Sequence, residues 1–213
     1  MAPHHVVVVG NGMVGQRFVE RLVVADVDRR TVVTVVGEET RSAYDRVALS
    51  SWFDGATDTD LSLVDQSVVA DRVDYRLGSR VEHLDTEAQV VQLDSGDLLA
   101  YDDLVLATGS SPFVPPIPGH DLPGCFVYRT LDDLEAIGAW AERDGVSSGI
   151  VIGGGLLGLE AANALRSLGL ETHVVEMAPY PMPAQLGEGS GAMLARWVDE
   201  LGVHLHCAAR SQR

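Results

Sequence analysis

Lysine is absent from this chain of 213 residues, and all 15 of its basic residues are arginines. Without lysine, a Schiff-base lysine, a pyridoxal-phosphate anchor and a Walker A lysine are excluded. The 31 acidic residues give a formal net charge of −16 at pH 7, with histidine counted as neutral. Nucleic acid and anionic membranes both attract basic surfaces. We therefore expect neither nucleic acid nor a membrane among the partners of this chain.

Cysteine is scarce as well. Cys125 and Cys207 stand far apart in the sequence, and there is no Cys-x-x-Cys pair. This excludes a cysteine zinc site, an all-cysteine iron–sulfur cluster and a Cys-x-x-Cys redox disulfide within the chain. The two cysteines are interpreted as buried or free thiols in a reducing compartment. His204 and His206 alternate along one predicted strand and could chelate a metal, but we expect only a polar pair there, so no metal site is predicted.

Long apolar runs are also missing. The N-terminus leads from Met1 into the valines Val6–Val9 and then into glycine, which is too short a stretch for a signal peptide. No apolar run approaches the roughly 20 residues that a membrane-spanning helix needs. We therefore expect a cytoplasmic protein.

What the sequence does contain is an alternation of short strands and helices. The β-branched run Val6–Val9 predicts a strand buried on both faces of a parallel sheet. Apolar residues at helical spacing over 13–24 predict a helix, and Val32–Val36 predicts a second strand. Together these elements form a βαβ unit. The segments Tyr44–Arg46 and Leu49–Phe53 are expected to begin a helix, and 54–60 to be a polar loop.

The remaining sequence holds a meander, a linker and a second copy of the opening pattern. Short strands are predicted at 73–77, 80–84, 90–93 and 98–101, with a small antiparallel β meander among them, and a further buried strand is expected at 104–107. A proline-rich linker at 112–124 precedes a helix at 130–140. Trp52, Trp140 and Trp197 stand among apolar residues and are expected to be packing residues. The repeated pattern predicts strands at 150–152, 172–175 and 203–207 and helices at 157–168 and 191–201.

The first βαβ unit carries a glycine motif at its first turn. Gly10, Gly12 and Gly15 form the pattern G-x-G-x-x-G between strand and helix. In such a turn the first glycine permits the bend, the second lets a pyrophosphate approach the backbone, and the third lets helix and strand pack closely. Glu38, at the end of the second strand, is placed to bind ribose hydroxyls. An ordinary glycine turn is the alternative, which the strand–helix–strand–acid context disfavours.

A second copy of the motif, Gly153–Gly158, opens the repeated unit, and Glu176 ends its second strand. Glu176 would repel a 2′-phosphate and no arginine follows it, so NAD is favoured over NADP. Its alternative is a solvated carboxylate. Glu160, in the first turn of the following helix, is either a surface acid favoured by the helix dipole or a group that reaches the nicotinamide. The two motifs predict an α/β fold with two Rossmann-like dinucleotide-binding units.

With both glycine motifs and their acids, the sequence resembles a known family. It is similar to the FAD-dependent NAD(P)H reductases of the pyridine-nucleotide–disulfide reductase superfamily and, more narrowly, to the N-terminal flavin module of NAD(P)H nitrite reductase large subunits. The resemblance spans essentially the whole chain. The segments that carry it are Gly10–Gly15, Gly37–Glu39, Tyr44–Ser51, Ala107–Ser110, Val127–Asp133 and Gly153–Glu160.

The resemblance implies FAD in the first motif and NADH in the second. Arg46 would lie near the FAD pyrophosphate, Val81 would meet the adenine through its backbone, and Ala107–Gly109 would run beside the cofactor. No catalytic acid or base is expected, because the cofactors themselves carry hydride transfer. The cofactor-binding residues are predicted to be Gly10, Gly12, Met13, Val14, Gly15, Glu38, Glu39, Arg46, Val81, Ala107, Thr108 and Gly109 for FAD, and Gly153, Gly155, Leu156, Leu157, Gly158, Glu160 and Glu176 for NADH.

Members of that family are much longer, and their chain returns to the FAD domain after the nucleotide domain. We therefore expect a C-terminally incomplete arrangement, with an FAD-binding domain at 1–118 and a truncated NAD(H)-binding domain at 119–213. The resemblance implies an electron acceptor outside this chain. That acceptor would be a sirohaem and iron–sulfur module, which two cysteines cannot supply here, or a ferredoxin or rubredoxin.

Two alternatives stay open at this point. The chain could be part of an NADH-dependent rubredoxin or ferredoxin reductase instead of a nitrite reductase. It could also be a non-catalytic truncated fragment that binds a nucleotide at most. Exposed strand edges would then favour a homodimer.

Overall fold

The computed structural model of the protein describes residues 3–210, which form two compact units. The first unit comprises residues 3–46 and 58–111, and the second comprises 47–57 and 112–210. No helix within 3–210 has both the length and the apolar character to cross a membrane. The predicted domain division at 118/119 stays a prediction.

The first unit is a four-stranded parallel sheet with layers on both faces. The strand order in this sheet is β3 (Val73–Leu77), β2 (Thr31–Gly37), β1 (His4–Val9) and β7 (Asp103–Leu106). Strand β1 pairs in parallel with both β2 and β7. The elements are β1 (His4–Val9), α1 (Met13–Ala25), β2 (Thr31–Gly37), α2 (Asp58–Leu61), α3 (Gln66–Val69), β3 (Val73–Leu77), β4 (Val81–Asp85), β5 (Val90–Leu93), β6 (Leu98–Ala100) and β7 (Asp103–Leu106).

The valines of β1 are buried on both faces of this sheet, as predicted. On one face Val8 packs in a cluster with Val19 of α1 and Val69 of α3. On the other face Val7 packs in a cluster with Val91 of the antiparallel meander β4-β5-β6. Each fully buried valine contributes about 1.5–3 kcal/mol relative to an exposed one. The turn that follows β1 is therefore fixed to a rigid strand.

The second unit repeats this plan with a smaller sheet. Its parallel sheet has the order β10 (Val203–His206), β9 (Glu171–Val175) and β8 (Ser148–Ile152). Helices α5 (Leu156–Ser167) and α6 (Glu188–Glu200) pack on one face around Ala162, Val174 and Val198. On the opposite face Ile150 and Ile152 are 66% and 55% exposed. The elements are a 3-10 helix (Arg46–Asp54), most of which groups with this unit, α4 (Leu131–Ala141), β8 (Ser148–Ile152), α5 (Leu156–Ser167), β9 (Glu171–Val175), α6 (Glu188–Glu200) and β10 (Val203–His206).

The predicted α/β fold is confirmed, while several details were wrong. The expected helix at Leu49–Phe53 is a 3-10 helix, and the expected loop at 54–60 contains the start of α2. Trp197 is 56% exposed and is not a core residue, because it lies on the outer side of α6. The prediction of buried or free thiols is confirmed, since both cysteines are free, with Cys125 exposed and Cys207 partly buried.

The predicted histidine pair belongs to a larger group on the sheet of the second unit. His173 Nδ1 lies 3.1 Å from His206 Nε2, and the ring of His173 also stacks on that of His204 with centroids 4.9 Å apart. Within residues 3–210 no group of three or more histidine, cysteine, aspartate or glutamate side chains has the arrangement to hold a metal ion.

Candidate functional site

The first glycine turn, Gly10–Gly15, has no room for side chains at its two ends. Gly10 has φ +114°, and a Cβ there would overlap the carbonyl of Ala107. A Cβ on Gly15 would overlap the carbonyl oxygen of Gly10. Gly12 is different, because its backbone is extended and no atom lies within 4 Å of an added Cβ. The turn is thus closed where helix meets strand and open at its middle glycine, as a pyrophosphate-binding turn requires.

The second glycine turn, Gly153–Gly158, reproduces this geometry. Gly153 has φ +110°, and a Cβ on Gly158 would overlap the carbonyl oxygen of Gly153. Gly155 is extended, with no atom within 4 Å of an added Cβ. The two turns therefore offer the same open position for a ligand, one in each unit.

Helices α1 and α5, which follow the glycine turns, begin without any side-chain cap. Neither helix has an acidic residue in its first turn. Helix α4 shows the contrast: Thr130 and Asp133 form a capping box at its N-terminus, and Asp132 adds a second acid. The N–H groups and the positive dipole of α1 and α5 are therefore left for an anionic ligand.

Two apolar residues are exposed at the start of each of these helices. In α1, Met13 is 36% and Val14 is 73% exposed, and in α5 both Leu156 and Leu157 are 56% exposed. The buried positions of α1 are Gly15, Gln16, Val19 and Val23, so Val14 lies outside the buried face of that helix. Exposed apolar side chains at the same place in both copies fit contact with a bound ligand.

Glu176 is held against the second glycine turn. One carboxylate oxygen accepts a hydrogen bond from the N–H of Gly154 and the other from the N–H of Ala178, each at 2.7 Å. Glu176 is therefore not a solvated strand-end carboxylate. Its counterpart Glu38 in the first unit has a side chain that is 72% exposed, with Arg80 Nη1 at 3.6 Å. Both acids lie at the end of the second strand of their unit, where ribose hydroxyls are bound in this fold.

Arg46, Glu39 and Tyr44 form one cluster in the first unit. Glu39 accepts hydrogen bonds from the guanidinium of Arg46 and, at 2.7 Å, from the hydroxyl of Tyr44. The guanidinium carbon also lies 5.2 Å from the centre of the Tyr44 ring. Glu39 thus orients Arg46 and would contribute to a cofactor site through that arginine. Tyr44 was not predicted as a site residue, since only the fold brings its hydroxyl to Glu39.

The other predicted residues of the first unit lie around the same turn. The peptide between Ala107 and Thr108 is in contact with Gly10, and Gly109 follows with φ +70°. Val81 begins β4 directly after Arg80, the residue that faces Glu38. The structure therefore brings the end of β7 to the first glycine turn and the start of β4 close to Glu38.

Glu160 lies further along its helix than predicted. Because α5 begins at Leu156, Glu160 is its fifth residue and lies beyond the first turn. Burial and the negative charge of Glu160 together raise the pKa of Tyr128 to about 12. Tyr128 was not predicted as a site residue, although it stands in one of the segments that resemble the family.

Comparisons with known proteins agree with this geometry. The sequence profile of the family "Pyridine nucleotide-disulphide oxidoreductase" matches residues 4–213. The chain is 52% identical to the nitrite reductase [NAD(P)H] large subunit of Klebsiella oxytoca over 201 residues, which is 94% of this chain and 21% of that protein. It is 44% identical to the nitrite reductase (NADH) large subunit of Escherichia coli, covering 97% of this chain and 24% of that protein.

A solved structure shares the fold as well. The covalent putidaredoxin reductase–putidaredoxin complex matches with a TM-score of 0.84 and 27% identity, over 100% of this chain and 51% of that chain. The chain thus spans about a quarter or less of these nitrite reductase subunits and about half of the solved chain. It belongs to the pyridine nucleotide-disulphide oxidoreductase family, which confirms the prediction of an FAD- and NAD(P)H-binding oxidoreductase module.

Proposed function

We propose that this chain is the flavin module of an NAD(P)H nitrite reductase large subunit. In that role it takes a hydride from NADH onto FAD and passes electrons onward. The observation that carries the proposal is the pair of open glycine turns, one in each unit, within a chain 52% identical to the Klebsiella oxytoca subunit.

The first unit is assigned to FAD and the second to NADH. Arg46, oriented by Glu39, supplies a positive charge near the FAD pyrophosphate, while Glu38 accepts hydrogen bonds from its ribose. Glu176 does the same for NADH and disfavours NADPH, because its charge would repel a 2′-phosphate. The cofactors supply the redox chemistry, so the side chains bind and orient them and no catalytic acid or base is required.

The acceptor of the electrons is proposed to lie outside this chain. The chain has two cysteines, both free, and residues 3–210 hold no three-ligand metal group. The identity to nitrite reductase subunits favours a sirohaem and iron–sulfur module as the acceptor. The structural match to the putidaredoxin reductase complex supports a ferredoxin-like partner as the second candidate. The free thiols fit the proposed cytoplasmic location.

Bound flavin tests the proposal directly. We expect the purified chain, supplied with FAD and then desalted, to keep a flavin absorbance near one equivalent and to reduce an artificial dye with NADH. A chain that stays colourless after reconstitution would contradict the FAD assignment. A yellow chain that never passes electrons from NADH to the dye would instead favour a nucleotide-binding fragment without activity.

Replacing Glu176 in the second unit should change the preference between NADH and NADPH. In Glu176→Arg we expect the ratio of the NADPH to the NADH dissociation constant to fall by about 10-fold or more, because arginine pairs with the 2′-phosphate. Losing the hydrogen bonds from the N–H groups of Gly154 and Ala178 would weaken the binding of both nucleotides alike, so it leaves this ratio unchanged. Glu171→Arg adds the same charge at the other end of β9 and is the matched control. An unchanged ratio in Glu176→Arg would refute the ribose role.

Removing Arg46 from the first unit should weaken FAD binding. Arg46→Ala deletes a cation and leaves the carboxylate of Glu39 bonded to the hydroxyl of Tyr44 but without the charge of Arg46, so we expect the FAD dissociation constant to rise roughly 10-fold. The double variant Arg46→Ala/Glu39→Ala should recover part of the loss, because the uncompensated negative charge is gone. Arg41→Ala, which breaks the pair with Asp58 at 2.7 Å in the same unit, is the control. Equal FAD affinity in Arg46→Ala and the unchanged chain would exclude Arg46 from the site.

A further inference from the structure

Asn11 stands between the first two glycines of the first turn, and its side chain contacts the segment that follows β2. Its Nδ2 donates a hydrogen bond to the carbonyl oxygen of Arg41 at 3.2 Å. The NH2 group faces that carbonyl because a carbonyl oxygen can only accept. The Oδ1 of Asn11 is buried and has no hydrogen-bond partner among the residues that the structure describes. A buried oxygen without a partner is costly, so the rest of the side chain is expected to contribute something that outweighs this cost.

The space beside Asn11 is filled differently in the two units. Gly37 and Glu176 are in register, since each follows the residue whose carbonyl accepts from the first glycine of the turn. In the first unit a Cβ on Gly37 would lie 2.7 Å from the Cβ of Asn11. In the second unit a Cβ on Gly154 would lie 3.0 Å from the Cβ of Glu176. Each unit therefore has room for one side chain here, and the first unit places an amide where the second places a carboxylate.

The amide of Asn11 joins the glycine turn to the segment 38–46, which runs from the end of β2 to the first residue of the 3-10 helix. Arg41 lies in this segment between Glu39 and Arg46, whose side chains are hydrogen-bonded to each other. The hydrogen bond from Asn11 thus reaches the backbone between the two members of that ion pair. Fixing the backbone at this point restricts where the guanidinium of Arg46 can lie relative to the turn.

We propose that Asn11 is a positioning residue of the FAD site. Its hydrogen bond to the carbonyl of Arg41 holds the segment 38–46 against the first glycine turn, so that Arg46 is in place before FAD binds. Preorganisation of this kind raises affinity, because the segment does not have to be ordered at the moment of binding. The amide is also neutral, so it adds no negative charge beside the phosphates. The inference rests on the assignment of FAD to the first unit.

The test measures FAD affinity with and without Arg46. We expect Asn11→Ala to raise the FAD dissociation constant about 3- to 10-fold, the usual effect of losing one hydrogen bond. In the Arg46→Ala background the further loss from Asn11→Ala should fall within about twofold, because both changes act on one interaction. A change that merely loosened the first unit would add its full effect to that of Arg46→Ala. Asn163→Ala, which removes an exposed asparagine bonded to Arg166 at 3.0 Å in α5, is the control and should leave FAD affinity unchanged.

The melting temperature of the FAD-free chain gives a second measurement. Asn11→Ala removes one hydrogen bond and one buried oxygen without a partner, and these two effects on stability oppose each other. We therefore expect the melting temperature to change little or to rise while FAD affinity falls. Additive losses with Arg46→Ala, or an FAD affinity equal to that of the unchanged chain, would overturn the positioning role whatever the melting temperature. If the unchanged chain does not bind FAD, the proposed function itself fails, and this inference fails with it.

Discussion

Replacing Gly12 with valine should leave the first unit folded and remove its capacity to retain FAD. The backbone of Gly12 is extended, and no atom lies within 4 Å of an added Cβ, so the side chain meets nothing in the free protein. The same open space is where the pyrophosphate would approach the backbone. We expect the FAD dissociation constant to rise by roughly 100-fold or more, measured by flavin retention and by titration of the apoprotein.

A glycine with the same local structure provides the control. Gly187 precedes α6 in an extended conformation, caps it without a side chain, and also has no atom within 4 Å of an added Cβ. Gly187→Val should therefore change FAD retention little. Stoichiometric flavin in Gly12→Val would show that the first glycine turn does not bind the pyrophosphate.

Replacing Gly158 with alanine should disrupt the second unit. The added methyl group would overlap the carbonyl oxygen of Gly153, which is backbone and cannot turn away, so α5 must move from β8. We expect a loss of about 3 kcal/mol in the free energy of unfolding, at the upper end of overpacking effects. Trp52, Trp140 and Trp197 all belong to this unit, so tryptophan fluorescence during urea unfolding reports on it alone.

The control for this prediction lies three residues earlier in the same turn. Gly155 is extended and open, so Gly155→Ala should keep the unfolding midpoint close to that of the unchanged chain. If Gly158→Ala unfolds at the same urea concentration as Gly155→Ala, the close packing of α5 on β8 is not a requirement of the fold.

The predictable part of this structure is the part that local sequence determines. Continuous valines specify buried strands such as β1, because each of its four valines lies in an apolar cluster. The glycine turns are predictable because three glycines within six residues are sufficient to indicate a tight strand–helix turn. The position of Glu176 is predictable for the same reason, because the second strand of a βαβ unit ends beside the glycine turn.

The unpredicted part depends on loop conformation, on tertiary packing or on contact with solvent. Tyr44 reaches Glu39 only because a loop folds back on the end of β2, and Tyr128 gains its burial from packing that no periodicity encodes. The helical spacing around Val14 and Leu157 cannot distinguish a side chain that faces the core from one that faces a ligand. At both glycine turns the structure shows these side chains exposed, Val14 at 73% and Leu157 at 56%.

The unequal covering of the two sheets has a consequence for the kinetics of amide hydrogen exchange. In the first unit β1 and β2 lie between the helices and the meander, so their amides should exchange only when a large part of that unit opens. In the second unit β8 carries the exposed Ile150 and Ile152, and smaller openings can expose its amides. The two copies of one βαβ plan should therefore exchange on different timescales, with β8 losing its protons well before β1.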